Sequence, residues 1–225
     1  MEYPTPLVPG IFLTRPNRFI AEVLIEGTPV TVHVPNTGRC KELLLPQSKV
    51  LLLPASNANR RTPYSLIAVY KGNRLINIDS QAPNKIVMEA LRAGLMPTDE
   101  VRPEVAWGNS RFDAAYKQGG RTGFIEVKGV TLEAENIAYF PDAPTQRGTR
   151  HIRELIRAKK EGYQSHIWFI IQMGGIRHFQ PNDRTDPDFG LALRQGAKAG
   201  LDIRAWCCQC SPQNITLVNE VPVIL

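Results

Sequence analysis

Apolar and polar positions along this chain change their rhythm once, near residue 82. Before that point short apolar runs at residues 18–26, 29–34, 49–54, 64–71 and 74–79 are punctuated by Gly, Pro and Asn, the pattern of β-strands joined by turns. Five short strands predict a small closed barrel of the OB type. After it, residues 82–93 place apolar side chains at 86, 87, 90 and 91, a helical period closed by Gly94. Strand-like segments follow at 101–107, 111–116 and 124–130, then a helix at 145–161 stopped by Gly162. Residues 166–172 are almost wholly apolar and predict a central strand buried on both faces. A helix at 187–199 and strands at 202–207 and 215–218 complete the order. The expectation is an α+β chain of two domains: an OB-like β-barrel over residues 1–81 and a mixed α/β sheet flanked by helices over residues 82–225.

Composition leaves that picture intact and narrows the setting. With 225 residues, 43% hydrophobic and 21% charged, the chain has material for two cores of ordinary soluble type. Residues 167–171 form its most apolar stretch, too short to cross a bilayer, and the opening residues lack the plan of a signal peptide, so a cytoplasmic location is expected. The cysteines, at 40, 207, 208 and 210, are crowded toward one end, unlike a disulfide framework. Reduced thiols packed in strands are the expectation.

A net charge of +6 favours a polyanionic partner, and its distribution says more than its total. Residues 1–80 carry nine Lys and Arg against five Asp and Glu, and residues 147–160 carry six against one. In the barrel, Arg15, Arg18, Phe19, Arg39, Lys41, Arg60 and Arg61 are candidates for a nucleic-acid groove. The turn Asn36-Thr-Gly38 offers backbone N–H groups beside Arg39 and Lys41. In the basic helix, Arg147 and His151 share a face at i, i+4 that could hold a phosphate at the edge of the site, and Arg150 begins a second stripe with Arg153 and Arg157 that could contact nucleic acid. Arg111 adds a cation beside the strands that carry the candidate chemistry. Such charge runs are also the ordinary solvated face of a helix.

Ser110-Arg-Phe-Asp113 followed by Phe124-Ile-Glu-Val-Lys128 carries the sharpest chemical signal. Side chains alternate along a strand, so Glu126 and Lys128 share a face, and a hairpin through the Gly-rich segment 118–123 sets Asp113 beside them. Two carboxylates and one ammonium suit Mg²⁺, with Mn²⁺ as a substitute, which takes oxygen ligands and retains places for water and phosphate. The reaction this implies is phosphodiester hydrolysis, with Lys128 orienting the attacking water or offsetting phosphate charge. A further acid is sought at Glu104, on the neighbouring strand, in preference to Glu89 on the first helix. An exposed Glu–Lys cross-strand pair is the structural alternative. The order helix, three strands, helix, strand also matches the αβββαβ core of PD-(D/E)XK nucleases, in which the metal acids lie on the second and third strands.

The chain resembles the sugar fermentation stimulation protein A family over nearly its whole length. The resemblance rests on His33-Val-Pro-Asn-Thr-Gly-Arg39, Ser110-Arg-Phe-Asp113, Glu126-Val-Lys128, Phe140-Pro-Asp142, Arg147-Gly148 and His151, in order and at similar spacing. It implies an OB-like N-terminal domain, a PD-(D/E)XK nuclease-like C-terminal domain, DNA binding, and through the family's name a link to sugar metabolism. The nuclease pattern further implies the Val127 carbonyl as a metal ligand. Phe112 stands where that pattern has Pro before its Asp. The expected partner is DNA, single- or double-stranded. A non-catalytic DNA-binding regulator and an RNA-processing nuclease stay as alternatives, since no helix-turn-helix or zinc-finger signature reads bases.

Overall fold

The computed structural model describes residues 1–225 except Thr37 and Ala58. The N-terminal part consists of β1 (Val8–Asn17), β2 (Ile20–Ile25), β3 (Thr28–His33), β4 (Lys49–Pro54), β5 (Tyr64–Lys71) and β6 (Arg74–Asn77). Their order is β3-β2-β1-β4-β5-β6, and a parallel contact between His33 of β3 and Ser65 of β5 closes the first five into an OB-like barrel. Phe12, Val23, Val32, Leu52, Leu66 and Ile76 fill its interior. The barrel differs from the sequence expectation in one strand. The sequence pattern starts at Arg18 and omits β1, whose run contains Pro9, Gly10 and Pro16. Those residues lower β propensity, but Gly10 is required by packing: a Cβ there would lie 2.5 Å from Cγ1 of Val23 on the partner strand. The fifth expected strand, β6, is an addition to the barrel wall.

Next come α1 (Ala82–Arg92), β7 (Glu100–Trp107), β8 (Ser110–Gln118), β9 (Arg121–Val130), β10 (Leu132–Ala134) and β11 (Ile137–Phe140). They are followed by α2 (Gln146–Lys160), β12 (Gln164–Ile171), β13 (His178–Pro181), α3 (Pro187–Lys198), β14 (Asp202–Cys210) and β15 (Ile215–Val221). The main sheet has the order β15-β14-β12-β9-β8-β7, parallel across β14, β12 and β9 and antiparallel elsewhere. A small sheet, β10-β11-β13, stands apart from it. β12 runs through the middle with Ile167 to Ile171 buried, as a strand covered on both faces must be. On one face Ile86, Val87 and Leu91 of α1 pack with Ile125, Val127, Trp168 and Ile170. On the other, Ile152, Leu155 and Ala158 of α2 with Phe189 and Leu193 of α3 meet Phe124, Ile167 and Phe169. Each such side chain stabilises the fold by roughly 1.5–3 kcal/mol when fully buried.

The β8–β9 hairpin turns on Gly119 and Gly120, both at positive φ (53° and 78°), with Gln118 opposite Arg121. Two central residues at positive φ make the turn whose twist matches antiparallel strands, and glycine adopts it without strain. The two parts of the chain are clamped together. Glu133 in β10 accepts from Lys71 Nζ at 2.8 Å and pairs with Arg74 at 3.1 Å. Gln172 Nε2 donates to Asn77 Oδ1 and to the Asp79 carbonyl. The first residues dock on the second part, where the Met1 ammonium donates to the Ile215 carbonyl and pairs with Glu89 at 2.8 Å.

Candidate active site

Hairpin register builds the site. Ala114 faces Ile125, so Asp113, the residue before it on β8, arrives at the level of Glu126 where α1 begins. Its carboxylate is fixed at both oxygens: Oδ1 accepts from Asn84 Nδ2 and Oδ2 from the Val127 N–H, each at 2.8 Å. Two residues apart on β9, Glu126 and Lys128 share the face covered by α2. The Lys128 ammonium donates to Glu126 Oε1, and His151 of α2 meets the same oxygen through Nδ1. Arg147 Nε donates to His151 Nε2 at 3.4 Å, which leaves the ring proton on Nδ1 facing the carboxylate. Glu126 is 2% exposed, and its second oxygen, Oε2, is buried with no hydrogen-bond partner.

Charge explains the titration of the pair. Burial and the neighbouring charge of Glu126 push the Asp113 carboxyl above its ordinary value, against the bonds from Val127 and Asn84 and the charge of Lys128. Burial acts the same way on Glu126, but the Lys128 ammonium and the His151 imidazole outweigh it and hold that carboxyl below the usual range. A buried carboxylate and a half-buried one at one place repel, and an oxygen without a donor adds to the cost. A bound cation would relieve both. Among the described residues no three of His, Cys, Asp and Glu converge as a closed metal cage. Asp113 and Glu126 are two carboxylates, and one or two is the usual number for a hard cation that keeps its waters and binds phosphate.

The sequence-derived residues divide into groups. Asp113, Glu126, Val127, Lys128 and His151 come together; His151, expected with Arg147 to hold phosphate at the edge of the site, is a buried partner of Glu126. Glu104 does not join them. It lies between the pairs Pro103–Ala114 and Val105–Phe112, but its φ is 52° and its side chain, 62% exposed, turns outward to Arg111 at 3.6 Å. Strand alternation presumes negative φ, so it misplaces such a residue. Glu89 serves the N-terminus. The residue of α1 that reaches the cluster is Asn84, absent from the sequence reading. Its signal is a polar side chain heading the stripe Asn84, Val87, Leu91 that faces the sheet.

Arg15, Arg18, Arg39 and Lys41 line one groove on the barrel. Arg60 and Arg61 lie outside it, on the β4–β5 connection, with Arg60 donating to Ser65 Oγ at 3.1 Å. Arg147 and Arg150 are exposed at the start of α2. Thr37, within the turn singled out in the sequence, lies outside the described residues. A cavity of about 300 Å³ separates the barrel from the small sheet, lined by Asn36, Gly38, Ser80, Gly129, Gln172 and Asp142 among others. Gly129, the residue after Lys128 on β9, lines it on the side of Gln172 and Pro83. A larger opening, about 950 Å³, lies away from the cluster and is bordered by Cys207, Cys208 and Cys210. Burial raises all three thiols, Cys210 to about 11, so they are protonated and inert there.

Comparison with known proteins places both parts of the chain in one setting. Residues 13–78 match the family model of the SfsA N-terminal OB domain, and residues 81–214 that of the Sugar fermentation stimulation protein RE domain. Sugar fermentation stimulation protein homologs are similar throughout: that of Clostridium perfringens strain 13 is 49% identical, covering 100% of each chain, and that of Desulfitobacterium hafniense is 49% identical, covering 100% of this chain and 99% of its own. The homolog of Thermoanaerobacter sp. strain X514 is 47% identical over 98% of each. The structure of Pyrococcus furiosus SfsA in complex with Ca²⁺ has a TM-score of 0.90 at 30% identity, covering 100% of this chain and 98% of that one.

Proposed function

The chain belongs to the sugar fermentation stimulation protein family, and from that premise we propose that it binds DNA and hydrolyses phosphodiester bonds with a divalent cation, Mg²⁺ or Mn²⁺. The observation that carries this reading is the unpartnered, buried Oε2 of Glu126 beside a second carboxylate, Asp113, whose ionisation is opposed by burial and by Glu126. Asp113, Glu126 and the main-chain carbonyl of Val127 form the donor set, all oxygen, that a hard cation takes. The Ca²⁺ complex of the Pyrococcus furiosus relative supports carrying a divalent ion over to this chain. When bound, the cation lowers the pKa of a coordinated water and offsets charge on the phosphate.

The protein's own groups supply the rest. Asn84 and the Val127 N–H hold the Asp113 carboxylate in one orientation, so little reorganisation accompanies ion binding. Lys128 is 13% exposed, enough for its ammonium to exchange Glu126 for a phosphate oxygen or an attacking water. His151, held by Arg147, keeps a donor on Glu126 Oε1 while Lys128 is engaged elsewhere.

The direct test is cleavage of labelled single- and double-stranded DNA with Mg²⁺ or Mn²⁺. The wild type should cut, and Asp113→Ala and Lys128→Ala should each lose about a hundredfold or more, the scale of removing one charge-stabilising group. Equal residual cleavage in both variants and the wild type would assign the activity to a contaminant. A second reading, a DNA-binding regulator without turnover, draws on the double engagement of Glu126 Oε1 by Lys128 and His151, a closed ion cluster complete in itself. It predicts DNA binding without cleavage in any divalent ion, and unchanged binding by Asp113→Ala.

A further inference from the structure

The barrel carries one feature that a grip on duplex phosphates leaves unused. Phe19, in the β1–β2 turn, is 54% exposed. The turn is not slack: the Phe19 N–H donates to Asn17 Oδ1 at 2.9 Å, and its carbonyl accepts from the Val34 N–H at 2.8 Å. Its chain neighbour Arg18 lines the basic groove with Arg15, Arg39 and Lys41, and among the described residues no carboxylate lies within ion-pair distance of any of the four. Arg15 organises the groove. Its guanidinium donates to the carbonyls of Arg18, Asn36, Gly38 and Arg39 at 2.6–2.9 Å, tying the β1–β2 turn to the segment after β3.

That same segment leads inward. Gly38 borders the cavity of about 300 Å³ between the barrel and the small sheet, across from Asp142, and the cavity reaches Gly129 and Gln172. A Cβ on Gly38 would lie 2.9 Å from both Asp142 Oδ2 and Asn36 Oδ1, so only a glycine leaves this crossing open. An exposed aromatic ring next in the chain to a groove of cations, with Gly38 held by Arg15 on the groove side and lining the cavity on the other, matches a polymer with alternating anionic and flat apolar parts. Bases in a duplex are stacked on one another and cannot use the ring, whereas those of a single strand can.

We propose that the DNA bound is single-stranded, lying across Arg18, Arg39 and Lys41 with a base stacked on Phe19, and passing over Gly38 into the cavity between the barrel and the small sheet. This rests on the DNA-binding reading above and adds strandedness and path to it. Cations at the groove supply affinity without base selection and make it fall with salt. Phe19 supplies the preference for unpaired bases.

Fluorescence anisotropy in EDTA, where no cleavage intervenes, tests the proposal with a labelled oligothymidylate and a mixed-sequence duplex of equal length. The wild type should bind the single strand at least about tenfold more tightly. Phe19→Ala should weaken it roughly tenfold, within the range for one stacked base, with the slope against salt unchanged. Phe19→Trp should restore it, which separates stacking from loss of fold. Arg39→Ala should instead lower the salt slope by about one. Equal affinity for duplex and single strand, or a Phe19→Ala protein that binds the single strand as the wild type does, would overturn strandedness and leave the DNA-binding reading standing. No binding of either probe would overturn both.

Discussion

Glu126 carries more of the site than its neighbours do, because one of its oxygens takes both donors while the other, equally buried, takes none. Removing Lys128 leaves that carboxylate with His151 alone. Lys128→Ala should therefore cost about 2–3 kcal/mol in stability, toward the low end for breaking a buried pair because the imidazole remains. Urea unfolding at pH 7 measures it, and a loss under about 0.5 kcal/mol would mean the ammonium is already solvated. Alternation along β9 made Glu126 and Lys128 legible in the sequence, and the glycine-rich turn made Asp113 legible by register. Glu104 was misread because a positive φ reverses a strand residue's direction without a signature in its neighbours. His151 could be placed beside Arg147 by helical spacing, but its burial against β9 depends on how α2 packs, which no local pattern contains.

At the scale of elements, the site depends on where α2 starts. Asp186 joins two helix ends: Oδ1 accepts from the Phe189 N–H as the α3 cap, and Oδ2 accepts from the N–H of Thr145, the residue that caps α2. Asp186→Ala loses both bonds and should destabilise by about 2 kcal/mol, and Thr145→Ala by about 1 kcal/mol. Equal effects in urea unfolding would deny Asp186 its double role. The hairpin has its own sensitive point. At Gly123 a Cβ would lie 2.3 Å from the Tyr116 ring, so Gly123→Ala should cost roughly 1–3 kcal/mol through overpacking. Long periodic elements, including all three helices and β12, were readable within a few residues of their ends. β1 was hidden by its prolines and glycine, while β10, β11 and β13, three or four residues each, are too short to show a period.

For the whole molecule, the clamp between barrel and sheet domain is electrostatic at its rim. Burial opposes ionisation of Glu133, but the bonds from Lys71 and the Asn136 N–H, with the charge of Arg74, outweigh it and set its carboxyl below the ordinary 4.5. Asp202, where His166 and Arg204 outweigh burial, is lowered likewise from 3.8. A depressed carboxyl contributes stability that is complete above its unfolded value and lost as pH falls through the folded one. The urea midpoint should thus drop on acidification below about pH 4.5, and drop less steeply in Glu133→Gln, which at pH 7 should be about 2 kcal/mol less stable than the wild type. A midpoint that falls as steeply in the variant would remove Glu133 from the acid response. Domain order was visible from the change of pattern near residue 82. The clamp was not, since it pairs residues 59 to 95 positions apart, a separation no sequence window spans.

The claim on which the functional account depends is that Asp113 and Glu126 form a cation site with Lys128 as its resident counter-charge. Isothermal titration of Mn²⁺ into chelator-treated protein addresses it without DNA or turnover. The account predicts one ion bound per chain by the wild type, binding at least about tenfold weaker in Asp113→Ala, and equal or tighter binding in Lys128→Ala, where a competing positive charge is gone. Mn²⁺ bound by Asp113→Ala with the affinity of the wild type, or no heat of binding from the wild type at all, would contradict it.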